Sequence, residues 1–443
     1  MEGKSENKVQ IRPLYFADNI FYWSRIGKQA TVLEIQCSLT ETVDPKALEN
    51  AFLSALQVHT NFRIRPVIIG FKFQAIVEDL TKVPLFRKDG RKRHLGSAET
   101  GGLPLCIEYD AENITLHIFH GISDFRGICS FIHTLLKFYF HELGRFQGEL
   151  PQPDSSDTMP AFESFISKGA PGAPIGMFLP DENKVFHLPE KNFGKKTTMQ
   201  KICEIDVPLQ DLLLLSKSSE SSVMPTLQAF IGRAIRRTYE VGEKLVVCYT
   251  PVDLRPIFQY TTGGNGSSNF CVPYSKEMDR YELSDRAMYL RSILDVQIQP
   301  ENLYARVKGT MERVAPAIRW KIPLGLKTRL IVDAGRKTDR GAYTYGISYA
   351  GKVRFDDEIA PCVKSLTGCA GSYSYPLWIV ASETNGILQM VLTQAFEDTT
   401  LAKAIFQELE SQVPGTRYKE WGHHVFGDYT LKSVKRLPVK YQS

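Results

Sequence analysis

The sequence predicts a two-domain α/β protein with mixed sheets. Its 443 residues are too many for one small module and suit two or three domains at ~100 to 200 residues each. Hydrophobic residues make up 43% of the chain and charged ones 23%, the proportions of a globular protein that buries sizeable cores, so wholesale disorder is excluded. Stretches of two-residue periodicity alternate with stretches of helical periodicity on both sides of a segment rich in Pro, Gly, Ser and Lys. That segment, Leu150 to about Lys201, includes Pro151-Gln-Pro-Asp-Ser-Ser-Asp157 and Gly169-Ala-Pro-Gly-Ala-Pro174. It reads as an inter-domain connection that divides the chain into residues 1–180 and 181–443.

In the first half, Asp44 and Pro45 form the cap and first position of an amphipathic helix whose stripe is Leu48, Ala51, Phe52, Ala55 and Leu56. Strands are expected near Phe62 to Ile68 and Phe71 to Val77, separated by Gly70. The run Phe86-Arg-Lys-Asp-Gly-Arg-Lys-Arg-His94 reads first as a solvated basic loop and second as a contact for a phosphate-bearing ligand. Asn113 to His120 alternates, with Ile114, Leu116 and Ile118 on one face, and so predicts a strand. Beyond Asp124 and Gly127 the apolar positions Ile128, Phe131, Ile132, Leu135 and Tyr139 follow a helical period. In the second half a strand is expected near Cys203 to Val207, helices over Leu209 to Ser216 and Thr226 to Tyr239, and a strand over Lys244 to Tyr249. No fixed-period repeat indicates a solenoid.

Charge and cysteine usage narrow the function classes. Lys and Arg number 54 against 49 Asp and Glu, a net charge of +5. That mild excess suits anionic small molecules and argues against a dedicated nucleic-acid binder. Trp320 among Arg319, Lys321, Lys327 and Arg329 offers one aromatic only, poor ground for base stacking. The eight cysteines are scattered without a C-x-x-C pair or clustered histidines, so no metal site is expected. The polar start Met1 to Lys8 and a longest apolar run of only Leu212 to Leu215 point to no signal peptide and no membrane span. The expectation is a cytoplasmic monomer with free thiols.

His120-Gly-Ile-Ser-Asp124 forms an H-x-x-x-D motif between the end of a strand and the start of a helix. A neutral imidazole with a pKa near ~6.5 is suited to taking a proton from a hydroxyl or amine. On the motif alone, a histidine satisfied by a local hydrogen bond is the more ordinary reading. There is no G-x-S-x-G nucleophile elbow, and Gly263-Gly-Asn-Gly-Ser-Ser-Asn269 lacks the ending of a P-loop and reads as a flexible turn. Cys129 reads as core.

With these residues the sequence resembles the superfamily of chloramphenicol acetyltransferase, nonribosomal peptide condensation domains, plant-type H-x-x-x-D acyltransferases and alcohol acetyltransferases. The signature of that superfamily is H-H-x-x-x-D-G followed by a helix. Four further segments resemble its pattern in order: His59 to Arg63, Pro251-Val-Asp-Leu-Arg255, Gly266-Ser-Ser-Asn269 and Ile347-Ser-Tyr-Ala-Gly351, so that the resemblance covers roughly residues 10 to 410. Phe119 stands in place of the first histidine, a departure shared with the plant-type and alcohol acyltransferases that leaves base chemistry intact. Phe125 stands in place of the glycine, where a bulky residue reshapes the pocket floor next to the base and bears on substrate size. The plant-type D-F-G-W-G box is absent, which places the chain nearer bacterial or fungal relatives.

The resemblance implies two chloramphenicol-acetyltransferase-like domains with a channel at their interface, and acyl transfer from a thioester to an alcohol or amine. His120 would be the general base and Asp124 a structural residue paired with Arg255. Asn269 and Ser348 are positional candidates for stabilising the oxyanion. No permanently bound cofactor is implied. Acyl-CoA is the expected co-substrate, with Arg91, Lys92 and Arg93 as candidate contacts for its phosphates. The alternatives are a stand-alone condensation-type enzyme with a carrier-protein-bound donor, and a catalytically silent scaffold.

Overall fold

The computed structural model describes residues 11–24, 26–27, 30–153, 157–172, 180–188, 199–371 and 375–438, with backbone alone at 336 and 338–340. The polar start Met1 to Lys8 and parts of the Leu150 to Lys201 connection lie outside them. Two mixed sheets organise the chain. A five-stranded sheet runs in the order Val363–Ala370, Val32–Leu39, Asn113–Phe119, Leu105–Tyr109, Leu85–Arg87, antiparallel except for its last pair. A seven-stranded sheet runs Ser267–Tyr274, Val246–Asp253, Tyr345–Lys352, Leu377–Thr384, Ile387–Gln394, Met199–Pro208, Arg417–Val425, with two parallel pairs around Tyr345–Lys352.

Sequence patterning accounts for the first sheet's inner face. Leu33, Ile35 and Cys37 from one strand and Leu116 and Ile118 from its neighbour project to the side covered by helix α2 (Pro45–Val58) and helix α3 (Phe125–Glu142). Helix α1 (Phe16–Ser24) precedes both. Asp44 caps α2 as expected, its Oδ1 accepting from Lys46 N and Ala47 N at 2.8 Å each. The opposite sheet face is polar yet also covered. There Glu34, Gln36, Glu108, Thr115 and His117 border a cavity of about 440 Å³ shared with Trp421 and His424 of the seven-stranded sheet's edge strand.

The two sheets are not independent. Val363–Ala370 comes late in the chain but pairs antiparallel with Val32–Leu39. It is also bonded sideways to the seven-stranded sheet, with Ser382 Oγ donating to Leu366 O at 2.7 Å and Leu366 N donating to Thr384 Oγ1 at 3.2 Å. Later still, Asp428–Tyr429 pairs with His94–Leu95 and Lys435–Leu437 with Ile64–Ile69. The connection expected from Leu150 contains a helix, α4 (Met159–Lys168), whose Met159, Phe162 and Ile166 are buried in the second core. All eight cysteines are buried and free. Among the described residues no helix is long and apolar enough to cross a membrane, and no group of three His, Cys, Asp or Glu residues could hold a metal ion.

Candidate active site

The Asn113–Phe119 strand ends one residue before His120, and α3 begins one residue after Asp124, so the H-x-x-x-D loop is anchored at both ends. His120 N donates to Thr31 O at 3.0 Å. Its ring lies against Phe21 of α1, centroids 4.1 Å apart and planes 19° apart, and is partly open to a cavity of about 410 Å³. His120 Nδ1 makes no hydrogen bond among the described residues. Burial lowers its pKa below the ordinary 6.5, outweighing its own backbone carbonyl and the Asp124 carboxylate, which act the other way. The imidazole is therefore neutral at pH 7 and ready to accept a proton.

Asp124 turns away from the histidine. Its carboxylate accepts from Gly127 N at 3.0 Å, which caps α3, and from Gly266 N at 2.7 Å. Arg255 Nη1 and Nη2 close a two-pronged pair on Oδ2 and Oδ1 at 3.0 Å each. The same guanidinium donates to Asp253 Oδ1, Thr262 O and Gly264 O. Gly266 must be glycine for this approach, because a β-carbon there would lie 2.7 Å from Arg255 Cζ. The glycine-rich turn read as flexible is thus held by specific bonds. Ser123 Oγ donates to Gly263 O at 2.6 Å, and Asn265 Nδ2 donates to the His120 carbonyl at 2.9 Å.

Three residues of this arrangement carried no signal in the reading of the motifs: Asp18, Phe21 and Asn265. Asp18 of α1 is buried, and its Oδ1 accepts from Asn265 Nδ2 at 2.9 Å and Asn265 N at 3.3 Å. Desolvation pushes the Asp18 pKa up to about 7 against the pull of the Asn265 bonds. Helix α1 therefore bears on His120 twice, directly through the Phe21 ring and indirectly through Asp18, whose partner Asn265 holds the His120 carbonyl. The contacts join residues 145 and 247 positions apart, and no local pattern encodes them.

Other candidates fall in different places. Ser348 lines the His120 cavity, with Phe125, Tyr249, Tyr375 and Trp378 supplying much of its aromatic wall. Asn269 does not line it; its Nδ2 donates to Tyr343 Oη at 3.2 Å behind that wall. The run Arg91, Lys92, Arg93 borders neither this cavity nor the wider cleft that adjoins it. Arg93 is buried and donates to Glu108 and Asp89, Lys92 pairs with Asp428, and Arg91 is exposed beside Asp89. The adjoining cleft, of about 1120 Å³, shares Arg126, Asp253, Arg255, Pro256, Ala350 and Gly351 with the His120 cavity and adds Lys352 and Arg354 on its rim. Cys129 is buried in the core side of α3, and desolvation pushes its thiol up to about 12.

No family model and no curated protein matches the sequence. Among solved structures the chain is similar to polyketide synthase associated protein 5 from Mycobacterium tuberculosis, at 12% identity over 90% of this chain and 97% of that one, with a TM-score of 0.61. It is similar to the TRI3 trichothecene 15-O-acetyltransferase from Fusarium sporotrichioides, at 12% identity over 93% and 97% with a TM-score of 0.60. It is also similar to the condensation domain of the Monacolin K polyketide synthase MokA, at 10% identity over 91% and 96% with a TM-score of 0.59. The chain has the fold of these proteins. The mixed α/β fold class expected from the sequence is thus the one these similar structures share.

Proposed function

We propose that the chain is an acyltransferase that moves an acyl group from a thioester, acyl-CoA in the first instance, to an alcohol or amine. The observation that carries the reading is the neutral His120 imidazole, opening on an aromatic cavity while Asp124 is fully occupied elsewhere. His120 takes the proton from the acceptor O–H or N–H as that atom attacks the thioester carbonyl carbon. The carbon–sulfur bond then breaks, and the imidazolium returns the proton to the leaving thiolate. No covalent intermediate on the protein is needed. Ser348, which lines the cavity, is assigned to the developing oxyanion. The basic rim of Arg126, Lys352 and Arg354 supports entry of an anionic donor arm through the wide cleft.

A panel of acyl-CoAs, followed by free thiol release with and without pooled alcohols and amines, tests this. Acceptor-dependent release that disappears in a folded His120→Ala variant supports it. Release unaffected by that substitution refutes the role of His120, and transfer from carrier-protein thioesters alone makes the protein a condensation-type enzyme.

A further inference from the structure

Phe125 stands where the resembling families keep a glycine, and the structure shows what its ring does. It is the first residue of α3, and it lines the His120 cavity. The ring is seated on bare backbone. A β-carbon on Gly368 would lie 2.3 Å from Phe125 Cε2 and 3.0 Å from Ile35 Cδ1. Gly368 belongs to the Val363–Ala370 strand, directly opposite Ile35 in register, and Ala370 of the same strand lines the cavity beside it. Beyond that strand lies the polar cavity bordered by Thr367, Gly368 and Cys369. The large residue at 125 and the absent side chain at 368 are therefore a matched pair, and the ring fills the space between the His120 cavity and the sheet.

We infer that Phe125 is a specificity-determining plug that closes the cavity on its sheet side and sets the length of the apolar group it admits. On the acyltransferase reading, on which this rests, that group is the acyl chain. The wide cleft carries Arg126, Lys352 and Arg354, so a donor with an anionic arm enters there and delivers its acyl end toward the aromatic cavity and the Phe125 ring. A methylene that does or does not fit an apolar pocket changes kcat/KM by about 10- to 200-fold, so one ring is enough to set a length limit.

The experiment compares wild type, Phe125→Ala, Phe125→Leu and Gly368→Ala with straight-chain acyl-CoAs of rising length. In parallel, the change in tryptophan fluorescence that is lost on Trp378→Phe, Trp378 being the tryptophan of the cavity wall, reports binding of straight-chain alcohols of rising length without any turnover. Phe125→Ala should raise the kcat/KM ratio of hexanoyl- to acetyl-CoA by at least ~10-fold, the low end for one methylene, and shift the tightest alcohol to a longer chain. Gly368→Ala, which drives the ring back into the cavity, should move both profiles toward shorter chains. Phe125→Leu should fall between wild type and Phe125→Ala, and with Gly368→Ala it keeps the test informative where Phe125→Ala does not fold. Transfer that proceeds with both profiles unmoved in the folded variants overturns the plug and leaves the acyltransferase reading standing. Alcohol profiles that shift in a protein that turns over no thioester uphold the plug and remove the acyltransferase reading.

Discussion

Replacing Asp124 with alanine removes four hydrogen bonds at once: the α3 cap to Gly127 N, the bond to Gly266 N and both prongs from Arg255. The cap alone is worth ~1 kcal/mol. Leaving one member of a buried ion pair without its partner costs about 3 to 5 kcal/mol. Arg255 would keep Asp253 Oδ1 at 2.9 Å and the carbonyls of Thr262 and Gly264, so the low end of that range applies. With about 1 kcal/mol more for the buried Gly266 N–H left without an acceptor, these give a loss of about 5 kcal/mol for Asp124→Ala. Asp124→Asn, which keeps an acceptor oxygen but loses the charge, should lose about half as much. Because the same carboxylate fixes the loop that carries His120, turnover of the folded variant should drop by ~10²-fold, the usual effect of misplacing a reacting group by about 1 Å. Denaturant titrations of Asp124→Ala, Arg255→Ala and the double variant, with turnover measured on each, form the test. The two stability losses should be strongly non-additive. A loss near ~1 kcal/mol for Asp124→Ala, the worth of the cap alone, with additive behaviour in the cycle would refute the lock.

His120→Ala should keep the fold and lose about 10² to 10⁴-fold in turnover. Since burial holds the His120 pKa below 6.5, wild-type kcat/KM should rise with pH through an acid limb below that value and stay level at neutral pH, which a pH–rate profile checks. Asp18, raised to about 7, binds more protons folded than unfolded, so its contribution to stability falls as pH rises from about 4 toward 7. Asp18→Asn should flatten that part of the stability curve and, by loosening Asn265 on the His120 carbonyl, lower kcat more than it raises KM. His117, held between Glu34 Oε1 at 3.2 Å and Glu108 Oε2 at 3.0 Å, has its pKa raised to about 9 because the two carboxylates outweigh its desolvation. Its stabilising contribution is complete below about 6.5 and is lost as pH rises through about 9, and melts of wild type against His117→Gln between pH 7 and 10 should converge at the alkaline end.

The parts of the fold legible in the sequence are those governed by neighbours a few residues apart. Asp44 and Pro45 open α2 because capping and a fixed φ act locally, and the Ile114, Leu116, Ile118 alternation finds the strand that leads to His120. The same alternation suggests a polar outer face, yet His117 is buried there among Glu34 and Glu108, because a second sheet covers it and the ion pairs make that burial tolerable. Helix α4 was obscured by the prolines and glycines around it, although Met159, Phe162 and Ile166 carried a helical spacing. The pairing of Asp124 with Arg255 is what the superfamily resemblance implies, since no local pattern encodes a contact between residues 131 positions apart. Asp18 and Phe21 could not be placed, since nothing in α1 itself says that it will come to rest on a histidine about 100 residues later.

The late strand Val363–Ala370 has a consequence for the order in which the protein is made. The five-stranded sheet has Val32–Leu39 between Asn113–Phe119 and a partner that leaves the ribosome some 240 residues afterwards. Until residue 370 emerges, Val32–Leu39 is an open edge, and its odd-numbered side chains, Leu33, Ile35 and Cys37, lack one flank of their cover. The seat for the Phe125 ring, at Gly368, is missing for the same interval. A nascent chain stopped before that strand should therefore be a client for chaperones, and the chamber around His120 should take shape only as the second sheet forms, since the strand that completes the first is bonded to Ser382 and Thr384 of the second.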